Sequence, residues 1–320
     1  MRIVERIDRA RPESDTVLTI GSFDGVHRGH QHLVRKLVAR AHEMDRLATA
    51  LTFHPHPRAV LNTGVRPTYL STPQERADLL APLGLDLLVV QPFTQELAAT
   101  PAEAFVGNLY AALRMRELWV GADFAMGRGR GGDTSTLDQL AAKLGFALRI
   151  VTPLMMDGDV VSSTRVRTLL NDGRVADVAH LLGRPYAVTG RVVVGDRRGR
   201  LLGFRTANVP IAPERAMPRH GVYAAWVEAE GQRHKAVVNV GTHPTFEQSH
   251  PQIEAHLIDY AGNLYGQELR VHFVAYLRPE MRFESAEALI AQIQRDTLDG
   301  RAALGAEETV PDHAKEQATL

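Results

Sequence analysis

The sequence predicts an α/β unit built around a parallel sheet over residues 1–184, then an antiparallel β-barrel with a terminal helix over 185–305, then a flexible tail over 306–320. Three observations carry that reading. Short β-branched or apolar runs alternate with helix-patterned stretches from residue 16 to about 155. Between 186 and 280, short strands follow one another at close spacing, with Gly, Pro, Asp and His filling the gaps. Finally, a chain of 320 residues, 44% of them hydrophobic, is long enough to bury two cores, so two domains are the default.

The strands of the first unit are TVLTIG (16–21), ATALTF (48–53), LDLLVV (85–90), ELWVGA (117–122) and ALRIVTP (147–153). Between them lie HQHLVRKLVARAHEM, TPQERADLLAPLG, TPAEAFVGNLYAALRM and STLDQLAAKLG. Three of these open on Thr or Ser with Pro or an acidic residue close behind, as helix N-termini do. Nearly continuous apolar strands separated by helices imply a sheet covered on both faces, with a ligand site where strands end and helices begin. GSFDGVHRGHQ (21–31) occupies the first such position. VSSTRVRTLLNDGRVADVAHLLGRP then reads as two short helices, 163–171 and 175–182, divided by Asp172-Gly173, and the domain boundary is placed at Gly183 to Pro185.

The barrel strands are AVTGRVVVG, GVYAAWVEAEG, RHKAVVNVG, IEAHLIDY and ELRVHFVAYL. In the last, strict alternation puts Leu269, Val271, Phe273, Ala275 and Leu277 on one face and Arg270, His272 and Tyr276 on the other, which predicts a sheet with one wet side. SAEALIAQIQRDTLDGRAAL, from 285, is an amphipathic helix.

Charge and cysteine usage narrow the function. Lys+Arg and Asp+Glu balance at 37 each, so no whole-molecule field of one sign draws in a nucleic acid or an anionic membrane. Only four of the basic residues are lysines (Lys36, Lys143, Lys235, Lys315), and none precedes Ser or Thr, so the phosphate loop ending in G-K-[ST] is absent. Phosphates must then be held by arginine, histidine and backbone amides. Zero cysteines remove disulfides, thiolate catalysis and the common zinc frameworks, and suit a reducing cytoplasm. Charges scattered through MRIVERIDRARPESD do not read as a signal peptide, and no apolar run approaches about 18 residues. The protein is expected to be soluble and cytoplasmic, with no nucleic-acid and no membrane partner.

Two segments of the first unit carry chemistry. In GVHRGHQHLVRKLV, His27 and His30 lie three apart at the mouth of a helix, on one surface beside unpaired backbone N–H groups. Such a place holds phosphates, and imidazole donors there strengthen as charge builds on phosphorus and on a departing pyrophosphate. Gly25 and Gly29 permit close approach. Surface polarity or a metal fragment would look the same in isolation, but His32 is the sole extra His nearby, and no Cys, Asp or Glu stands at helical spacing. The second segment is VSSTRVRTLL (161–170), where Ser162, Ser163 and Thr164 cap a helix whose first turn carries Arg165 and Arg167. Hydroxyls, amides and guanidinium groups are expected to converge there. GRGRGG (127–132) satisfies G-x-G-x-x-G but falls in the fourth βα unit with two arginines in it, so it is read as a flexible active-site loop and not as a dinucleotide fingerprint.

In the barrel, GDRRGRLLGFRTANVP (195–210) joins a glycine-punctuated loop to Thr206 and Asn208, and IEAHLIDYAGNLYG carries Glu254 on a strand. A loop of this kind can fold over phosphates, a Thr and Asn pair can hold Mg²⁺ through oxygen, and a carboxylate can take a proton from an alcohol. A barrel with turn glycines and a solvated Glu254 is the plain alternative.

H-x-G-H after the first strand with S-S-T-x-x-R after the last resembles the nucleotidyltransferase superfamily related to class I aminoacyl-tRNA synthetases, which implies a Rossmann-like first domain. Together with LTFHPHPR, VGADF, LLGRPY, GRLLGF-x-TAN, NVGTHPTF and EAHLIDY…LYG, the chain from 16 to about 300 resembles the bacterial bifunctional riboflavin kinase and FAD synthetase family. The resemblance implies that the first module adenylylates FMN to FAD and the second phosphorylates riboflavin to FMN, each with Mg-ATP. It implies further that Gly21, Phe23, Gly25, His27, His30, Ser163, Thr164 and Arg167 hold ATP in the first module, with His27 and His30 catalytic. His56, Asp123 and Phe124 would lie near the flavin. In the second module, Gly195, Gly203, Thr206 and Asn208 would bind Mg-ATP, Thr206 and Asn208 reaching the Mg²⁺, and Glu254 would be the base for the ribityl 5′-hydroxyl. The implied partners are riboflavin, FMN and ATP, and a homo-oligomer stays open.

One departure stands out. The family reads P-T-A-N where this chain has Arg205-Thr206-Ala207-Asn208, exchanging a fixed φ for a long cation beside the phosphates. Met126 in DFAMG replaces a common aromatic and fills the same apolar space. Two alternatives follow: a chain that keeps FAD synthesis and loses its kinase at Arg205, and a flavin- or RNA-binding regulator, which the zero net charge opposes.

Overall fold

A computed structural model of the protein describes residues 1–61, 68–194, 204–245 and 248–305. By packing, the chain divides into two compact units, Met1–Arg165 and Val166 onward.

The first unit is a six-stranded parallel sheet with spatial order β1-β4-β3-β2-β5-β6. Its strands are β1 (Arg2–Glu5), β2 (Thr16–Ile20), β3 (Leu47–His54), β4 (Leu87–Pro92), β5 (Met115–Gly121) and β6 (Ala147–Val151). Strand β1 carries no sequence signal, because as an edge strand it leaves three of its four residues exposed; parallel pairing with β4 (Arg2 opposite Leu87, Glu5 opposite Val90) makes it a strand. All five residues of β2 are buried, since helices cover both faces. On one face Leu18, Ile20, Leu51 and Leu118 pack against Phe105, Leu109 and Leu113 of α5 (Ala102–Leu113) and Leu137 of α6 (Thr134–Leu144). On the other, Val17, Ala48, Ala50 and Leu88 meet Val34, Leu37 and Ala41 of α1 (Arg28–Glu43) and Ala77 and Leu80 of α3 (Pro73–Leu80). The short helices α2 (Pro57–Leu61) and α4 (Gln95–Ala98) and the two-residue strands β7 (Met155–Met156) and β8 (Asp159–Val160) complete the unit.

Local signals set several helix starts. Thr72 and Glu75 form a reciprocal capping box at α3, and Asp133 accepts from Thr136 N (2.8 Å) at α6. Strand β2 has β3 on one side and β5 on the other, so strand order reverses at its end. A crevice opens at such a switch point, and residues 21–27 lie in it.

The second unit begins within α7 (Ser163–Asn171) and continues with α8 (Val175–Leu182). The packing division therefore precedes the 184–185 boundary read from the sequence: Gly183-Arg184-Pro185 punctuates the chain, yet α8 packs on β14 (Glu268–Arg278) and β9 (Tyr186–Arg191) of the barrel. The antiparallel sheet runs β10-β13-β12-β11-β14-β9, with β10 Ala207–Pro210, β11 Gly221–Ala229, β12 Gln232–Thr245 and β13 Gln248–Leu257. Its two edges meet where Val193 N donates to Asn208 O (2.9 Å). Tyr186, Val188, Val209, Tyr223, Val227, Ile253 and Phe273 are buried. Helix α9 (Ala286–Gly305) lies on β11, β12 and β14, so the expected wet side is partly covered.

The alternation predicted for β14 holds through Phe273 and then breaks. Register shifts in the β11–β14 pairing put Tyr276 opposite the buried Tyr223, their rings 5.2 Å apart, while Leu277 packs with Val222, Val237 and Ile258. Each shift inserts an unpaired residue that reverses the faces beyond it.

Candidate active sites

The switch-point turn of the first unit is shaped from below. Asp24 is completely buried, and its carboxylate accepts from Leu70 N (3.0 Å), Ser71 N (3.0 Å) and Ser71 Oγ (3.1 Å). Ser71 Oγ in turn accepts from Gly25 N (2.9 Å). Gly25 sits at φ +76°, where a Cβ would lie 2.9 Å from the Leu70 side chain, so only glycine fits. Phe23 (φ 46°) and Val26 (φ 41°) are held in the left-handed region at a cost of about 1–3 kcal/mol each, a strain that the buried clamp sustains. Arg76 of α3, only 2% exposed, supports the same turn: its Nη1 donates to Thr52 Oγ1 (2.9 Å), and Thr52 Oγ1 donates to Ser22 O (3.0 Å). Its Nη2 is 3.9 Å from Asp24. Asp24 is thus part of the floor, while the two histidines face each other above it.

His27 caps α1, its Nδ1 accepting from His30 N (3.3 Å), so one of the helix's free N–H groups is already satisfied. The two rings stack at 3.6 Å and 18°, and Phe23 stands edge-on to His30 at 5.2 Å. His30 Nδ1 is shut off from solvent, with no hydrogen-bond partner among the described residues. Burial first, then the neighbouring His27 and Arg76, hold the His30 imidazole well below its usual range, so it is neutral near pH 7.

The SSTR segment reaches this turn. Ser163 Oγ donates to Asp24 O (2.9 Å), and Gly29 comes so close to Val161 O that an added Cβ would lie 3.2 Å from it. Ser162 caps α7 by accepting from Arg165 N (3.2 Å), and Thr164 follows Ser163 in the first turn. Arg165 departs from the expected convergence: it turns to the β7–β8 hairpin, where Nη1 donates to Met156 O (2.8 Å) and Asp159 O (3.2 Å). Arg167 falls past the point where the two units divide.

Of the residues implied for the flavin, His56 follows β3, its backbone N donating to Tyr69 Oη (3.1 Å). Asp123 is exposed in the turn after β5, and Phe124 is half-buried against the core beside α5 and α6. In the GRGRGG loop Met126 and Gly132 exchange backbone bonds (3.1 and 2.9 Å), Arg128 N donates to Thr100 O (2.9 Å) and Arg130 Nη2 to Asp123 O (3.1 Å).

In the barrel, Gly195 and Gly203 lie outside the described residues, as does the tail from 306. Thr206 and Asn208, two apart with the buried Ala207 between them, line a cavity of about 300 Å³ together with Val192, Arg205, Tyr260 and Asn263. Thr206 also borders a second cavity of about 220 Å³, lined by Phe204, Glu254, His256, Arg278, Met281 and Ile293 among others. In the sheet Glu254 sits between Asn208 on β10 and Asn239 on β12. Thr206 therefore stands where the two cavities adjoin, with the amide on one side and the carboxylate on the other. Arg278 and Asp296 close the second cavity with a two-pronged ion pair (2.8 and 2.7 Å). Among the described residues no group of three His, Asp or Glu could hold a metal ion. Thr206 and Asn208 are a sparse oxygen pair, which suits an ion that keeps waters and takes its remaining ligands from phosphate.

Arg76, Ser71 and Thr52 are supports that the sequence does not reveal. Arg76 in TPQERADLL reads as one more charged position on a surface helix, and nothing local says that Asp24 lies near it.

Comparison with known proteins agrees with both halves. A family model described as FAD synthetase matches residues 9–165, and one described as riboflavin kinase matches 182–304. Proteins named bifunctional riboflavin kinase/FMN adenylyltransferase are similar along nearly the whole chain. That of Escherichia coli (strain K12) is 38% identical over 296 residues, covering 92% of this chain and 94% of its own. That of Pseudomonas fluorescens is 37% identical over 305 residues (94% and 97%), and that of Listeria monocytogenes serovar 1/2a 34% over 288 (89% and 91%). A crystal structure described as a macrolide-efflux protein from Streptococcus pneumoniae superposes with a TM-score of 0.87 at 28% identity, covering 93% of this chain and 98% of its own. Among the described residues of this chain no helix is long and apolar enough to cross a membrane. With a family model matching each half and relatives 34–38% identical along nearly the whole chain, the chain belongs to the bifunctional riboflavin kinase/FMN adenylyltransferase family.

Proposed function

We infer that the protein makes FMN from riboflavin and ATP in its barrel and FAD from FMN and ATP in its parallel-sheet unit, releasing pyrophosphate in the second step. The observation that supports the adenylyl-transfer site best is the Ser163 Oγ bond to Asp24 O (2.9 Å), which ties two segments some 140 residues apart to one turn. In this reading Gly21, Phe23, Gly25, His27, His30, Ser163, Thr164 and Arg167 hold ATP, and His56, Asp123 and Phe124 contact the flavin. An oxygen of the FMN phosphate attacks the α-phosphorus in line, and the bond from that phosphorus to the bridging oxygen of pyrophosphate breaks. Positioning and charge stabilisation do the work, with no covalent enzyme intermediate. His30, neutral before ATP binds, takes up a proton as the triphosphate arrives and donates to the departing oxygens.

In the barrel, Thr206 and Asn208 would hold Mg²⁺, which when bound with ATP spreads the charge of the terminal phosphates. Glu254 accepts the proton of the ribityl 5′-hydroxyl as its oxygen bonds to the γ-phosphorus and ADP leaves. The impaired-kinase alternative is not favoured: the Arg205 guanidinium is engaged with Ala261 O (2.9 Å), and Thr206 and Asn208 both line the cavity. We assign the protein to the cytoplasm on its lack of cysteine, and we assign it no nucleic-acid or membrane partner on its balanced charge.

The test is a pair of variants assayed with riboflavin or FMN as substrate and the products separated by chromatography. His30→Ala should lower FAD formation at least about a hundredfold and leave FMN formation intact, as expected for loss of a group that acts on the developing charge. Glu254→Gln should do the reverse. Equal loss of both products in either variant contradicts separate sites.

A further inference from the structure

The cavity of about 300 Å³ in the barrel has two walls. One is the segment Arg205 to Asn208, backed by Ala255 and Leu257 of β13; the other is the loop between β13 and β14, through Tyr260, Asn263 and Tyr265. The ends of that loop are anchored. Asp259 pairs with Arg301 (2.7 Å), Tyr260 Oη donates to Glu230 (3.1 Å), and Gly266 N donates to Val192 O (3.0 Å). Its middle is reached from across the cavity, where Arg205 Nη1 donates to Ala261 O (2.9 Å). Arg205 is itself held to β13, because its carbonyl pairs with His256 Nδ1 (2.9 Å). His256, Arg205 and Ala261 thus form one hydrogen-bonded strap joining the two walls. A proline at position 205 would fix the backbone but offer no side-chain donor, so it could not make the outer half of this strap.

We propose that Arg205 is a positioning residue for the nucleotide of the kinase reaction: by strapping the loop at Ala261 to the Thr206–Asn208 wall it sets the width of the cavity and places a guanidinium in its lining. The proposal rests on the reading of this cavity as the kinase's ATP site. It assigns Arg205 to ATP affinity and leaves the transfer step to Glu254, which lines the other cavity.

The experiment is steady-state kinetics of riboflavin phosphorylation, read as summed FMN and FAD, with ATP varied, for the wild type and Arg205→Ala, Arg205→Lys and Arg205→Pro. The midpoint for heat inactivation of riboflavin phosphorylation serves as the control for folding of the barrel, and FAD formation from supplied FMN as the control for the other unit. Arg205→Ala and Arg205→Pro should each raise KM for ATP about tenfold, equivalent to about 1.4 kcal/mol, with kcat within about twofold, as befits loss of binding common to ground and transition states. Arg205→Lys, which keeps a donor and a charge, should recover most of the loss, and FAD formation should be the same in all four. An unchanged KM in Arg205→Ala overturns the proposal, and so does a fall in kcat with KM unchanged. A merely structural role would lower the heat-inactivation midpoint of the kinase or leave Arg205→Lys as poor as Arg205→Ala, and either result also overturns it. A wild type that makes no FMN from riboflavin would instead defeat the assignment of the cavity.

Discussion

Asp24 invites a catalytic reading, because it lies three residues before His27 in the turn proposed to hold ATP, and the structure makes it a clamp. Asp24→Ala separates the two. The substitution leaves the buried Leu70 N and Ser71 N without their acceptor and takes the anion away from Arg76, 3.9 Å off. Each orphaned donor costs about 1–3 kcal/mol, so the pair costs about 4 kcal/mol before any charge contribution. For a unit of this size, each kcal/mol lowers the melting temperature by about 2–4 °C, giving a fall of about 8–16 °C. The assay is heat treatment over a temperature series followed by measurement of residual FAD formation from FMN and FMN formation from riboflavin. The midpoint for FAD formation should drop by that amount while the midpoint for the kinase stays in place. A variant that keeps the wild-type midpoint but shows a much lower rate of FAD formation before heating would place Asp24 in the chemistry and refute the clamp.

Two further expectations follow from the same physics. Ser163→Ala removes a bond between α7 and Asp24 O in the turn, a neutral contact worth about 1 kcal/mol. Its kcat/KM for FAD formation should fall about fivefold with FMN formation unchanged, and an unaltered value would show that the contact is not used in the bound state. His272 on β14 is held down to about 4 by burial, against the pull of Glu228 2.9 Å away. A depressed folded-state pKa means stability that is full above the unfolded value near 6.5 and is lost as pH falls from there toward 4, by at most about 1.4 kcal/mol per pH unit. Urea midpoints at pH 7 and 4.5 should therefore fall more steeply for the wild type than for His272→Gln, and parallel losses would exclude His272 as the source.

The main elements of both units are legible in the sequence, because each rests on a local property. Strand β2 shows as a run of buried residues, α3 as a Thr72–Glu75 capping box, α7 and α8 as two short periods parted by Asp172-Gly173. The histidine pair and the Ser163 segment are legible too, as motifs. What cannot be read is whatever depends on a partner far along the chain. Strand β1 exists through its neighbour β4, and the faces of β14 reverse after Phe273 through register shifts against β11. Arg165, expected beside the phosphates, bends to a hairpin that has no pattern of its own. Hydrophobic period, caps and turn chemistry act over a few residues, so the string of letters carries them. The burial of Asp24 under Leu70 and Ser71, the neutrality of His30 above Arg76, and the reach of Arg205 to Ala261 arise where distant segments exclude water together, and tertiary packing alone decides them.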